Sequence, residues 1–212
     1  MMHVFTEATL PRMYTQVATR NPVLQHILEH HGQPPLWVRP NSFATLVLTI
    51  LEQQVSLASA YAAFQRLKNK LPQIEPELFL QLTDDELRAC SFTRQKITYT
   101  HGLATAMVSG EINLHTFEQM DDDAVRRQLK TLKGIGDWTV DIYLLHALQR
   151  TDVFPLGDLA LIKAMQALLP PDASGSKEAM LHTAEAWRPY RSLATMLLWH
   201  WYIKTKNIKL LH

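Results

Sequence analysis

Apolar residues recur along most of this chain at intervals of three and four positions. Two such runs are Leu46, Ile50 and Leu51, and then Leu57, Tyr61, Phe64 and Leu67. This is the period of a helix with one buried face, whereas a half-buried strand would show strict alternation. The pattern therefore predicts an all-α protein.

Residues that favour helix starts precede several of these runs. Asn21 stands before Pro22, Ser56 precedes a run rich in alanine, and Thr83 with Glu86 has the spacing of a capping box. We predict no strand. Helices are predicted near residues 7–19, 22–31, 42–53, 56–70, 76–81, 84–90, 94–109, 122–131, 137–149, 159–169, 176–187 and 192–205.

The length of 212 residues indicates one compact domain or two small lobes. A single cysteine, Cys90, excludes an internal disulfide, a four-thiolate iron–sulfur cluster and a four-thiolate zinc site. No apolar run has the length that a membrane span needs. We therefore expect an intracellular protein, cytoplasmic if bacterial, with no membrane partner.

The charges nearly balance, with 21 Lys and Arg against 20 Asp and Glu and a net charge of +1. This balance argues against a strongly basic surface as the main device for binding an anion. The ten histidines show no spacing typical of a metal site.

Glycines are concentrated in one segment of this glycine-poor chain. Gly134, Gly136 and Gly157 are three of the seven, and the first two stand in the sequence Leu-Lys-Gly-Ile-Gly-Asp-Trp-Thr. Apolar helical patterns flank this segment, so we predict a helix, a tight hairpin and a second helix. The hairpin would leave backbone amides uncovered at a helix N-terminus, where the dipole favours an anion such as a DNA phosphate.

The chain resembles the helix-hairpin-helix superfamily of DNA base-excision glycosylases, and within it the 3-methyladenine DNA glycosylase II branch. The hairpin pattern and an aspartate about twenty residues after it carry the resemblance. Further matching segments are Leu51–Ser56, Ser91–Lys96 and Trp187–Ser192. The resemblance covers about residues 20 to 203.

This resemblance implies two helical lobes in a single catalytic unit over residues 1–212. One lobe would span about 42–155 and include the hairpin at 132–136. The second would combine about 1–41 with 156–212. The larger relatives carry an additional N-terminal mixed α/β domain, and we expect this chain to be the compact form without it.

Asp158 matches the essential aspartate of the family. Cleavage of an N-glycosidic bond builds positive charge on the sugar, and a nearby carboxylate stabilises that charge and orients the attacking water. Asp158 also stands where a helix N-cap is expected, and the two roles are compatible.

Two tryptophans match the base pocket of the family. Trp138 stands where relatives that also cut the DNA backbone carry a lysine nucleophile, so the resemblance implies no lyase activity. Trp199 matches a residue that stacks on the extruded base, and its electron-rich face favours a cationic ring. For both, simple core packing is the alternative.

The resemblance also implies DNA contacts. Gln53 and Gln54 lie where the family inserts a side chain into the duplex, and Gln54 aligns with that wedge, although both are equally typical of solvated or capping residues. Glu52 replaces a glycine often found there. Gly134, Gly136 and Thr139 are the expected phosphate contacts of the hairpin.

No cofactor is expected. In the family the hairpin often holds a monovalent cation through backbone carbonyls, which here would belong to Lys130, Leu132 and Ile135. No side chain of this sequence is predicted to bind a metal.

The predicted function is a monomeric, monofunctional DNA glycosylase that excises alkylated purines from double-stranded DNA. One alternative is a glycosylase for deaminated or mismatched bases, because Ile142 and Leu159 replace aromatic residues found in some relatives. A second is a non-catalytic protein that binds damaged DNA, although the spacing of Asp158 speaks against it.

Overall fold

The computed structural model describes residues 3–208 and is all-helical over them. An isolated antiparallel bridge between Val4 and Arg150 is the single β interaction among these residues. The prediction of an all-α fold is therefore confirmed. The helices are α1 (Leu10–Ala18), α2 (Pro22–His31), α3 (Phe43–Glu52), α4 (Leu57–Lys70), α5 (Pro76–Phe79), α6 (Asp84–Ala89), α7 (Arg94–Val108), α8 (Leu114–Phe117), α9 (Asp122–Leu129), α10 (Asp137–His146), α11 (Leu159–Leu168), α12 (Pro171–Ser174), α13 (Lys177–Glu185) and α14 (Arg191–Thr205).

Two single-turn helices, α8 and α12, were not predicted, because four residues are too few to show a helical period. The start signals were reliable. The side chains of Asn21, Ser56 and Thr83 each accept a backbone amide at the head of a helix, and Thr83 with Glu86 forms the complete capping box.

The described residues form two compact units. The first unit combines the residues up to Val38 with those from Leu144 onwards, and the second unit is Arg39–Tyr143. The later boundary thus falls within α10 and not near residue 155. The reason is that the segment after α10 returns to the N-terminal residues, where the amide of Phe5 donates to the carbonyl of Gln149 at 2.9 Å.

The core of the first unit is built around α14. Residues Ser192 to His200 of this helix are buried, and α14 packs on α1, α2 and α11. A helix that is apolar on nearly all sides belongs in such a position. Trp187, just before α14, is fully buried and contacts Phe154 edge-on.

The core of the second unit is centred on α3 and α7. α3 is almost wholly apolar and packs on α4 and α7, while α7 also contacts α5 and α6. The ring of Phe79 meets those of Phe43 and Phe92 at centroid distances of 5.5 and 6.1 Å. Cys90 is a free, buried thiol in this unit. Within residues 3–208, no helix is both long and apolar enough to cross a membrane.

Candidate active site

Asp158 lies at the head of α11, where it is the N-cap residue. Its backbone is extended, with φ −81° and ψ 121°, and its Oδ1 accepts the amide of Leu161 at 2.9 Å. The same oxygen accepts the indole N–H of Trp199, also at 2.9 Å. Two donors from two different helices therefore hold a half-buried carboxylate in one orientation.

Trp199 is itself held by aromatic neighbours in the first unit. Its ring is stacked on His146 at 5.7 Å with an interplanar angle of 7°, and it meets Trp37 edge-on at 6.3 Å. His146 Nδ1 lies 2.7 Å from the carbonyl of Trp37, so this nitrogen carries the hydrogen and donates it. With 7% of its surface exposed, Trp199 is fixed beside Asp158.

Trp37 and His146 complete the surroundings of Trp199, and neither was predicted as a site residue. Trp37 belongs to a proline-bracketed loop and His146 ends α10, so neither stands in a recognisable motif. The only sequence signal was a large aromatic residue, Trp37, in a short segment between prolines, where Leu36 and Val38 flank it. Asp158 and Trp199 were both predicted as site residues, and the structure joins them by a hydrogen bond.

The hairpin joins α9 to α10 in the second unit. Gly134 has φ +88°, a conformation that side chains with a Cβ rarely adopt. A Cβ at this position would also lie 2.1 Å from Cδ2 of Tyr99. Gly136 is exposed and has no atom within 4 Å of such a Cβ, so the two glycines serve different purposes.

Thr139 faces inward, with 2% of its surface exposed. Its Oγ1 accepts the side-chain amide of Gln53 at 2.9 Å, and the same amide donates to the carbonyl of Gly134 at 2.9 Å. The hydroxyl of Thr139 therefore lies in the interior and is occupied by Gln53, and the phosphate contact of this residue stays a prediction. Gln53 contacts the hairpin, while its neighbour Gln54 is exposed.

Trp138 is the second residue of α10 and is half-buried. Ile142, one turn further along α10, is buried with 4% exposure. Leu159, which directly follows Asp158 in the first unit, has 63% of its surface exposed. The two residues that differ from some relatives therefore have opposite environments.

An acidic residue that was not predicted as part of the site, Asp137, lies at the head of α10. Asp137 is exposed and accepts two hydrogen bonds from Lys130 Nζ at 2.9 Å and one from Arg126 at 3.0 Å. The Lys130 ammonium holds the pKa of Asp137 below its usual value. Arg126 also pairs with Asp141 at 2.5 Å. These pairs offset the negative charge beside the exposed hairpin amides.

The residues of 3–208 contain no cluster of three or more His, Cys, Asp or Glu side chains that would hold a metal ion. The expected cation site would use backbone carbonyls. Of these, the carbonyl of Leu132 accepts the amide of Ile135 at 3.2 Å, and Ile135 is buried. A carbonyl oxygen has a second lone pair, so this bond is compatible with a cation, and the site stays a prediction.

Residues 47–189 match the sequence model of the family described as HhH-GPD superfamily base excision DNA repair protein. This chain belongs to the HhH-GPD superfamily. The matched segment contains the hairpin, Gln53, Gln54, Trp138 and Asp158, and it ends before Trp199.

Individual HhH-GPD relatives agree with this assignment. DNA-3-methyladenine glycosylase 1 of Schizosaccharomyces pombe is 30% identical over 161 residues, which cover 74% of this chain and 71% of that protein. The crystal structure of a DNA-3-methyladenine glycosidase from Bacillus halodurans covers 98% of this chain and 95% of its own, with a TM-score of 0.79 and 27% identity.

A second solved structure, the S. pombe 3-methyladenine DNA glycosylase in complex with abasic DNA, has a TM-score of 0.81 at 24% identity. It covers 95% of this chain and 100% of that chain, and it supports the HhH-GPD fold. The chain is thus a base excision DNA repair protein with the fold of DNA glycosylases.

Proposed function

We propose that this protein is a monofunctional DNA glycosylase that hydrolyses the N-glycosidic bond of alkylated purines, such as 3-methyladenine, in duplex DNA. The observation that carries the proposal is the carboxylate of Asp158, whose Oδ1 is held by the Leu161 amide and the Trp199 indole. The product would be an abasic site.

The chemistry follows from the charge that develops during the reaction. As the base leaves, the deoxyribose gains oxocarbenium character, and an oriented carboxylate beside it stabilises this state. Asp158 would also orient the water that attacks the sugar. An alkylated purine already carries positive charge and is a good leaving group, so no strong general acid is needed.

The tryptophans support the reaction type and the class of base. Trp138 stands where lyases of this superfamily carry a lysine, and an indole cannot form a Schiff base with the sugar. An electron-rich indole favours a cationic base, and because one face of the Trp199 ring is stacked on His146, the base would meet its edge or its opposite face. The relatives named above are 3-methyladenine glycosylases, which agrees with this preference.

The hairpin supports DNA as the ligand. Its exposed Gly136 precedes the N-terminus of α10, where backbone amides and the helix dipole favour a phosphate. The S. pombe structure of the same fold is a complex with abasic DNA. We infer duplex DNA as the partner and a monomer as the active form.

The test is the release of free bases from duplex DNA by the wild-type protein. Methylated DNA should yield 3-methyladenine, detected by chromatography, and borohydride should trap no covalent adduct with the DNA. Release from uracil or hypoxanthine duplexes alone would transfer the assignment to a glycosylase for deaminated bases. A trapped adduct would contradict the monofunctional reaction.

Removing the indole donor should slow the reaction without preventing binding. Trp199→Phe keeps an aromatic ring but loses the N–H that orients Asp158, so we expect a decrease in single-turnover base release of about tenfold. Trp201→Phe, on the same helix, is the matched control and should stay near the wild-type rate. An equal loss in both variants would show that Trp199 does not act through Asp158.

Binding to DNA should depend only weakly on salt. The net charge is +1, and Asp137 lies among the cationic side chains of the hairpin, so few phosphates are neutralised. Counterion release then predicts a slope of log K against log salt between about −2 and −4. Fluorescence anisotropy with an undamaged duplex between about 50 and 200 mM salt measures this slope. A slope steeper than about −6 would contradict the prediction and show that a strongly basic surface binds the DNA despite the small net charge.

A further inference from the structure

The turn between α3 and α4 is anchored at consecutive residues of the second unit. The carbonyl of Leu51 accepts a hydrogen bond from the Lys96 ammonium at 2.5 Å, and burial lowers the pKa of this ammonium group. The next residue, Glu52, forms a bidentate pair with Arg39 at 2.6 and 2.8 Å. The end of α3 therefore has little freedom to move.

The third anchor is the side chain of Gln53. Its amide nitrogen donates one hydrogen to the carbonyl of Gly134 and the other to Oγ1 of Thr139, both at 2.9 Å. These acceptors belong to the hairpin and to the first turn of α10. Gln53 thus joins two segments that are more than eighty positions apart in the sequence.

Gln54 follows the anchors and is the first exposed residue of the turn. Its φ of +58° lies in the left-handed region, which is unfavourable for a residue other than glycine. Such backbone strain persists where neighbouring contacts hold the chain in that conformation, and it is common at functional sites. Val55 and Leu57 beside it are exposed apolar residues, at 44% and 48%.

We propose that Gln53 is a positioning residue that ties the turn carrying Gln54 to the phosphate-binding hairpin. Contact of the hairpin with the DNA backbone then sets the depth and register at which Gln54 enters the duplex. This inference rests on the proposed function, in which Gln54 is the inserted side chain.

Binding to undamaged and to damaged DNA should depend on Gln53 to different degrees. Undamaged DNA is held through its phosphates, whereas a lesion is recognised only when Gln54 is inserted beside the displaced nucleotide. A preformed turn reduces the entropic cost of that insertion. Loss of the Gln53 amide should therefore weaken binding to damaged DNA more than binding to undamaged DNA.

The primary experiment uses Gln53→Met, which preserves chain length but has no donor. We expect the preference for a duplex with a tetrahydrofuran abasic site over an undamaged duplex to fall about tenfold, while the Kd for undamaged DNA stays within about twofold. The fluorescence of 2-aminopurine placed opposite the abasic site should change less on binding than it does with wild type. Gln119→Met, an exposed glutamine of the same unit, is the matched control and should keep the preference.

Two further variants keep the proposal testable if Gln53→Met is poorly folded. Thr139→Val removes one of the two acceptors, and we expect a fall in preference of about threefold. Gln54→Ala removes the inserted side chain, so adding Gln53→Met to it should lower the preference by less than about twofold more. Thermal unfolding of each variant establishes that it is folded at the assay temperature.

The outcomes are distinct. Multiplicative losses in the double variant, or an equal weakening of both duplexes by Gln53→Met, would overturn the positioning role of Gln53. If wild type neither releases methylated bases nor prefers the abasic duplex, the proposed function fails, and this inference fails with it. Wild type with both properties and an unchanged Gln53→Met variant would overturn this inference alone.

Discussion

Replacing Asp158 with asparagine is expected to lower the rate of base release by about 10²–10³-fold, because the charge that we propose to stabilise the oxocarbenium-like sugar is lost. Binding to an abasic-site duplex should change by less than about threefold, because the phosphate contacts proposed for the hairpin do not involve Asp158. Single-turnover release of 3-methyladenine from methylated DNA measures the first effect, and anisotropy measures the second.

The fold should tolerate Asp158→Asn. Asparagine caps helices about as well as aspartate, and its side-chain oxygen still accepts the Leu161 amide and the Trp199 indole. The unfolding temperature should therefore be close to that of wild type. The matched control is Asp172→Asn, which changes an exposed carboxylate on α12 and should leave the rate unchanged. Equal release by wild type and Asp158→Asn would refute the catalytic assignment.

Gly134→Ala should lower the free energy of unfolding by about 2–4 kcal/mol. About 1–2 kcal/mol of this comes from the positive φ, and the rest from displacing the ring of Tyr99, which an added Cβ would approach at 2.1 Å. Because the hairpin must shift, affinity for duplex DNA should also fall. Urea denaturation followed by tryptophan fluorescence gives the stability.

Gly136→Ala provides the control within the same hairpin. Its added Cβ meets no atom within 4 Å and needs no positive φ, so the loss should be below about 1 kcal/mol. In a Tyr99→Ala background the clash is absent, so Gly134→Ala should lower the free energy of unfolding only by the part that is due to the positive φ. Equal losses for the two glycines would contradict the role assigned to Tyr99.

Local physical rules accounted for much of the secondary structure. Start residues such as Asn21, Ser56 and Thr83 act on amides two or three positions away, so the sequence displays the interaction directly. The end of α10 was predicted too late, near residue 149. Gln149 has φ +55°, and the amide of Arg150 turns back to the carbonyl of Leu144 at 3.0 Å, which closes the helix at His146.

The sequence indicated the candidate functional residues with different clarity. Asp158 and the hairpin glycines belong to a compact motif, so their spacing was informative. Glu52 was uncertain because a glycine is often found there, yet its carboxylate is paired with Arg39, thirteen positions earlier. Neither the identity nor the spacing of these two residues predicts that they form an ion pair. The ion pairs of Asp137 with Lys130 and Arg126 were also unforeseen.

The helical architecture, the glycine hairpin, the family and the aspartate that we place at the reaction centre could all be predicted from the sequence. These features depend on periodicity and on residues close together in the chain. The contacts that hold the site in place became visible only in the folded chain: the indole of Trp199 donates to Asp158 and is stacked on His146, and Gln53 donates to Gly134 and Thr139. Such contacts join residues that are far apart in the chain, and their hydrogen bonds require distances and directions that only packed helices define.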